Sequence, residues 1–251
     1  MSWQVATKAG LLERSGGDPY VALDVAPDGL GLVGPLGWLA TRVDPDGRAG
    51  VTAGLSVQPS AAESAELIAA LNRLATANGF RVTWITAPDT IELALDERWQ
   101  LGGHWVWMSA REVSPDDTGW PLVELDDHAD AEELRAFALP INPIWEGDPG
   151  IGKNRYWLGA RNGAGRLIGC GTVYETPAGI GHLAGLVVDP AHRNQGLGRA
   201  LVIALSQRVL ADDGATTLSA YAGNSSAISV YRRVGYQLNH RFRSRFLEPR
   251  R

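Results

Sequence analysis

Ala53-Gly54-Leu55-Ser56-Val57-Gln58-Pro59 ends an apolar run, and after it the hydrophobic positions change their period. Leu67, Ile68, Leu71 and Leu74 recur every three or four residues, which predicts an amphipathic helix. Asn78-Gly79 ends it, since glycine suits a helix C-cap, and FRVTWIT follows as a strand. About 130 residues later the same order returns. AGLVVDP at 184–190 leads to Leu201, Val202, Leu205 and Val209 at helical spacing, then Asp213-Gly214, then the strand ATTLSAY. A second helix is expected in each half, near 89–99 and near 224–234, and a last strand closes each, HWVWMSA and HRFRSRF.

A strand–helix–strand crossover implies parallel neighbours, hence an α/β sheet. Turn clusters ahead of each crossover, Asp44-Pro45-Asp46-Gly47 and Asn162-Gly163-Ala164-Gly165, predict antiparallel hairpins, so the sheet is mixed. SPDDTGWP at 114–121 is rich in turn formers, which places a boundary near 115–121 and gives domains 1–118 and 119–251. The second opens with the short strand LVELDD and a helical stretch at 128–138.

Composition narrows the class. The chain has 251 residues, 45% hydrophobic and 20% charged, an ordinary globular balance. No stretch approaches the roughly 20 apolar residues of a membrane span, and the first residues lack the apolar core of a signal peptide, so no membrane role is expected. A net charge of −5 argues against general nucleic-acid binding. The charge is uneven: residues 1–120 hold 8 basic and 15 acidic residues, residues 121–251 hold 15 and 13. A polyanion would find the second half more welcoming. The lone Cys170 makes no internal disulfide, which suits a reducing cytoplasm, and it excludes a cysteine-based metal cluster. No metal is expected. Set in the apolar LIGCGTVY, Cys170 reads as a small core residue.

The two copies differ after the first strand. SAAESAEL follows Pro59, whereas AHRNQGLG follows Pro190. The first copy turns strand into helix without glycine, so the glycines of the second serve something else. Glycines at a helix N-terminus let backbone N–H groups approach a ligand, and those N–H groups have no helical partner and carry the positive end of the helix dipole. Such a turn cradles a phosphate or pyrophosphate, with Arg193, Arg199 and the backbone of Asn194, Gln195, Gly196, Leu197 and Gly198 as the cradle. No Gly-Lys-Ser/Thr follows, so it is not a Walker loop, and it lacks the leading glycine of a dinucleotide fingerprint.

Arg193, Gly196 and Gly198 match Arg/Gln-x-x-Gly-x-Gly/Ala, and the loop resembles the signature of the GNAT superfamily of N-acyltransferases. The later run Asn224…Ala227…Tyr231…Gly235-Tyr236 resembles a second motif of that family, and the likeness covers about 121–247 in order. The first half looks like a degenerate copy, so the chain resembles tandem members: two GNAT-like domains, each a mixed sheet flanked by helices, with 1–118 lacking the pyrophosphate loop and 119–251 catalytic. The resemblance implies acetyl-CoA as co-substrate. The loop residues 193–199 would hold its pyrophosphate, and a bulged strand at Leu186, Val187 and Val188 would offer backbone to the pantetheine arm and thioester. Asn224 and Ala227 would line that arm.

The resemblance also implies roles. Tyr231, on one helix face with Asn224 and Ala227, would give a proton to the departing thiolate. His182, six residues before Val188, is the first candidate base, through water if need be, with Glu175 the second. Without a bulge, 182, 184, 186 and 188 share one strand face. The acceptor pocket would come from 137–157, where Phe137, Trp145, Glu146, Asp148 and Trp157 either offer an aromatic and acidic cleft for a cationic amine or are core aromatics with solvated acids. Apart from the resemblance, arginines 241, 243 and 245 alternate with Phe242 and Phe246 along the last strand, which reads as an ordinary half-exposed strand, with a carboxylate on the acceptor as the alternative partner. The expected activity is acyl transfer to a primary amine of a small molecule, with a non-catalytic acyl-CoA-binding module or a protein lysine acetyltransferase as alternatives. The expected state is monomer or homodimer.

Overall fold

The computed structural model describes residues 2–44, 47–115 and 118–247. Pro45 and Asp46 of the first turn cluster, and Asp116 and Asp117 of the expected boundary, lie outside the described residues. The chain forms two compact units: Met1–Trp107 with Tyr221–Gly223 and Asn239–Arg251, and Met108–Ala220 with Asn224–Leu238.

The first unit begins with β1 (Gln4–Thr7), α1 (Lys8–Ser15) and α2 (Pro19–Asp24). The strands β2 (Leu30–Gly34), β3 (Gly37–Val43) and β4 (Arg48–Leu55) follow as an antiparallel meander. At the β3–β4 turn the Gly47 N–H donates to the Asp44 carbonyl, as the turn cluster predicts. Then α3 (Ala61–Asn78) carries the chain across to β5 (Arg81–Pro88), parallel to β4. The predicted spacing of Leu67, Leu71 and Leu74 holds, and all three are buried against Leu39, Val51 and Ile85. β6 (Gln100–Ala110) then leads the chain into the second unit.

One expected helix is absent. Residues 89–99 form turns and extended chain, because their apolar residues Ile91, Leu93 and Leu95 alternate rather than follow a helical period. Ile91 joins the core and Leu93, Leu95 and Trp99 pack against it.

The second unit runs β7 (Val123–Leu125), α4 (Ala131–Ala138), β8 (Asn154–Arg161), β9 (Leu167–Glu175), β10 (Gly181–Val188), α5 (Leu197–Asp213), β11 (Thr216–Tyr221) and α6 (Ser225–Val234). Its strands lie in the order β7-β8-β9-β10-β11, antiparallel up to β10 and parallel from β10 to β11 across α5. The helix expected at 128–138 starts at Ala131, since the Asp126 carboxylate accepts the His128 and Ala129 N–H groups and holds them in a turn.

The last strand, β12 (Gln237–Phe246), has a partner the sequence did not indicate. Residues 242–246 pair antiparallel with β5 in the first unit. Its alternation is real: Phe242 is fully buried and the Ser244 hydroxyl meets that of Thr86 at 2.8 Å, while Arg243 and Arg245 reach Glu92 at 2.6 and 3.2 Å. These two arginines pair with a carboxylate of the chain itself, which fits the half-exposed strand reading.

In the second unit α5 lies close on β9 and β10. A Cβ at Gly181 would stand 2.7 Å from both Val209 methyls and 3.1 Å from a Val173 methyl. Gly181→Ala is expected to destabilise the protein by roughly 1–3 kcal/mol through overpacking, read as a lower urea midpoint at unchanged m-value.

Candidate active site

The site begins with a slip of register in β10. Ala184 stands opposite Thr172 of β9, but the next partner pair is Val187 with Cys170. One extra residue is thus accommodated, at Gly185, whose φ of 60° is left-handed. This is a bulge with glycine at its first position, and it turns the following side chains over. His182 lies beside Tyr174 and Thr217, whereas Leu186 lies over Gly171 and Leu205, and Val188 beside Gly198. The strand is bulged, so 182, 184, 186 and 188 do not share the one face that an unbulged strand would give them. Val187 goes instead into the core with Cys170 and Trp157.

β10 also parts from β11. The parallel ladder holds only His182 opposite Thr217 and Leu183 opposite Leu218. Among the described residues, Ala184–Val188 have no ladder partner in β11, so that edge offers backbone donors and acceptors to an extended ligand.

The loop after β10 is built by its own side chains. The Asp189 carboxylate accepts the Ala191 N–H at 2.8 Å and starts a short 3-10 turn, Pro190–His192. Arg193 Nε donates to the Val188 carbonyl, and Gln195 Nε2 to that of Ala191. Asn194 and Gly196 are left-handed, at φ 60° and 88°. The N-cap of α5 is Gly196, and among the described residues no N-cap side-chain bond is made, so the first N–H groups can face a ligand. Gly198 is informative. Its φ is not left-handed, and an added Cβ would meet only Val188 Cγ2, at 3.6 Å. Neither backbone strain nor protein packing calls for glycine there, although glycine in a helix costs about 1 kcal/mol against alanine. A glycine there leaves the backbone of the helix start open to close approach.

The corresponding place in the first unit is closed. The Ser60 hydroxyl accepts the Glu63 N–H and the Glu63 carboxylate accepts the Ser60 N–H, a capping box that satisfies the start of α3 and puts a negative charge there. The Gln58 amide spans to Glu92, donating to its carbonyl at 2.6 Å and accepting its N–H at 2.8 Å.

Tyr231 is 8% exposed, its ring edge-on to Tyr236 at 6.3 Å. Burial pushes its phenol up to about 12, and among the described residues its hydroxyl has no hydrogen-bond partner. Asn224 caps α6, accepting the Ala227 N–H at 3.2 Å, so its side-chain oxygen serves the helix.

The other candidates divide. His182 is buried, its Nδ1 2.8 Å from the Thr217 hydroxyl and its ring 4.8 Å from that of Tyr174. Glu175 is held by Arg155 at 2.9 and 3.1 Å, and Arg155 also binds Asp213 at the last residue of α5. Glu175 stands opposite Gly181 of β10, one residue from His182, and its carboxylate is engaged by Arg155. Cys170 is buried and its thiol is pushed up to about 12, which rules out a thiolate nucleophile.

Trp145 and Trp157 are core residues, their rings 5.6 Å apart, and so do not line an open cleft. Glu146 is exposed, Phe137 packs on the same core, and Asp148 pairs with Lys153 at 3.4 Å. Asp127, which the sequence did not single out, shapes this region. Its carboxylate accepts from the Trp157 indole at 2.8 Å, the Asn154 amide at 2.9 Å, and the Gly152 and Gly150 N–H groups at 3.0 and 3.1 Å. Burial opposes its charge, but the four donors outweigh burial and lower its pKa. Gly185 was missed too, although a glycine inside an apolar strand signals a bulge.

The family model described as acetyltransferase (GNAT) family matches residues 115–236. No curated protein matches the chain. Among solved structures, a GNAT-family protein from Novosphingobium aromaticivorans DSM 12444 is 24% identical, with TM-score 0.52 and 94% of each chain covered. A GCN5-related N-acetyltransferase from Sphaerobacter thermophilus is 17% identical, with TM-score 0.53, covering 98% of this chain and 96% of its own. A GNAT-family acetyltransferase from Colwellia psychrerythraea is 14% identical, with TM-score 0.50, covering 98% and 100%. At these identities the likeness shows a shared fold.

Asp127 yields a stability test. Because its folded pKa is depressed, its stabilisation is full above the unfolded carboxyl value of about 3.9 and is lost as pH falls through the folded value. Asp127→Asn turns an amide N–H toward other donors. It is expected to cost about 2–4 kcal/mol at pH 7, with the gap to wild type shrinking as the pH drops below about 4, measured by urea unfolding at each pH.

Proposed function

We propose that the second unit, in which residues 115–236 match the acetyltransferase (GNAT) family model, transfers an acetyl group from acetyl-CoA to the primary amine of a small molecule. The uncapped start of α5 behind Asn194–Gly198, with its unexplained glycine at 198, carries the proposal. The residues fit an acyl-CoA: a pyrophosphate suits the loop, and a pantetheine amide suits the β10 edge that β11 leaves open. Arg193 and Arg199 add positive charge beside the loop. The first unit, with its helix capped and Gln58 bound to Glu92, is structural in this scheme. Among the described residues no helix is long and apolar enough to cross a membrane, and the reaction is assigned to the cytoplasm.

In the transfer, the amine lone pair forms the new C–N bond and the C–S bond breaks with its electrons going to sulfur. Tyr231 supplies the proton to that sulfur and recovers one, through water, from the nitrogen. A phenol near 12 stays protonated throughout the working range and releases its proton only as the thiolate forms. The backbone of 186–188 orients the carbonyl, and its N–H groups stabilise the developing oxyanion. His182, three residues before Gly185, is assigned to accept the amine's proton through water. Exposed Glu146 draws a cationic amine to the site.

Calorimetric titration of acetyl-CoA is expected to show one micromolar-scale site in wild type and none in Gly198→Glu. Tyr231→Phe should keep that affinity and lose about 10²- to 10⁴-fold in kcat against an amine panel. With the phenol near 12, wild-type kcat should show no loss from Tyr231 ionisation below about pH 11. Unchanged turnover in Tyr231→Phe would remove the tyrosine from the mechanism, and absent binding to wild type would sink the proposal.

A further inference from the structure

Both parts of the proposed coenzyme surface are made of backbone in unusual conformations. Gly185 is left-handed in the strand, and Asn194 and Gly196 are left-handed in the loop. At each place one carbonyl is bonded by a side chain. The Gly185 carbonyl accepts the Trp145 indole N–H at 2.9 Å, with the Cys170 thiol a weak second donor at 3.9 Å. The Gln195 carbonyl accepts the Trp120 indole N–H at 2.8 Å.

A trans peptide is planar, with its C=O and N–H directed oppositely. Fixing the Gly185 oxygen therefore fixes the direction of the Leu186 N–H. Fixing the Gln195 oxygen likewise fixes that of the Gly196 N–H. Each indole thus aims a backbone donor from a distance, on the side away from itself.

Both indoles are well seated. Trp145 is 9% exposed, its ring 5.6 Å from that of Trp157, whose own N–H is tied to Asp127. A Cβ at Gly185 would stand 3.1 Å from Gly147 Cα and 3.2 Å from Trp145 Nε1, so this segment is fitted to the bulge. Trp120 is half-buried, and a Cβ added at Gly196 would stand 3.6–3.7 Å from Thr118 and from Trp120 Nε1. The two tryptophans lie on separate segments, before β7 and after α4.

We propose that Trp120 and Trp145 are positioning residues for acyl transfer with divided tasks. Trp120 holds the loop donors that bind the coenzyme, and Trp145 holds the bulge donors that orient the thioester. The division rests on the acyltransferase reading above.

The test replaces each tryptophan with phenylalanine and, to keep ring shape while removing only the donor, with benzothienylalanine. Amide hydrogen exchange in the free protein comes first. Exchange should speed up at 194–198 for the Trp120 variants and at 185–188 for the Trp145 variants, at an unchanged global midpoint for the benzothienyl forms. Binding and turnover of acetyl-CoA follow. Replacing Trp120 should raise Kd and KM about tenfold with kcat within twofold, and replacing Trp145 should lower kcat about tenfold with Kd within threefold, as loss of one aimed hydrogen bond implies. Unaltered exchange, or Kd and kcat moving together in both benzothienyl variants, overturns the division. If wild type exchanges as described yet binds no acetyl-CoA, the acyltransferase reading has failed while the anchoring of the two carbonyls stands.

Discussion

The left-handed turn at Gly185 shifts β10 against β9 by one residue, and most of the second unit's chemistry depends on that slip. It sends Val187 into the core and Leu186 and Val188 to the other face. The ladder to β11 stops at Leu183, so a strip of backbone is left without a strand partner. A bulge is costly to hold when its carbonyl is buried, and here the Trp145 indole supplies the missing donor. Trp145 in turn rests on Trp157, and Trp157 on Asp127. A carboxylate at the start of the unit thereby supports a strand edge some sixty residues further along the chain.

The two units show how one strand–helix pattern can be left open or closed. In both, a parallel crossover brings a helix N-terminus to the end of a strand. At α3 the capping box of Ser60 and Glu63 satisfies the orphan N–H groups and places a negative charge at the helix start. At α5 the N-cap is Gly196, and among the described residues no N-cap side-chain bond is made. The same contrast extends to the gap beside the strand, where Gln58 binds Glu92 in the first unit. A few side chains, with no change of fold, separate a sealed helix end from one that can take an anion.

Burial assigns the titratable groups of the second unit their states. It keeps the Tyr231 phenol and the Cys170 thiol protonated, one with no hydrogen-bond partner and so able to donate, the other set in the core. It works against the charge of Asp127 as well, but four donors reverse the outcome and leave a carboxylate that organises a loop. Arg155 pairs with both Glu175 and Asp213.

The elements were largely legible in the sequence because they depend on local periodicity. Leu67, Leu71 and Leu74, and Leu201, Leu205 and Val209, each fixed a helix and its buried face. The glycines of the loop stood out because the first copy turns without them. The helix expected at 89–99 failed since its apolar residues alternate. What the sequence alone determined was most of the strands and helices, and that Tyr231 shares a helix face with Asn224; the loop glycines marked a candidate anion site. Only the tertiary structure decided that Trp145 and Trp157 are buried, that Glu175 is paired, and that β12 lies against β5. It also decided that one glycine in AGLVV is left-handed while its counterpart in AGLSV is not. Those outcomes depend on contacts between residues far apart in the chain, and no local pattern of polarity encodes which distant partner a side chain will meet.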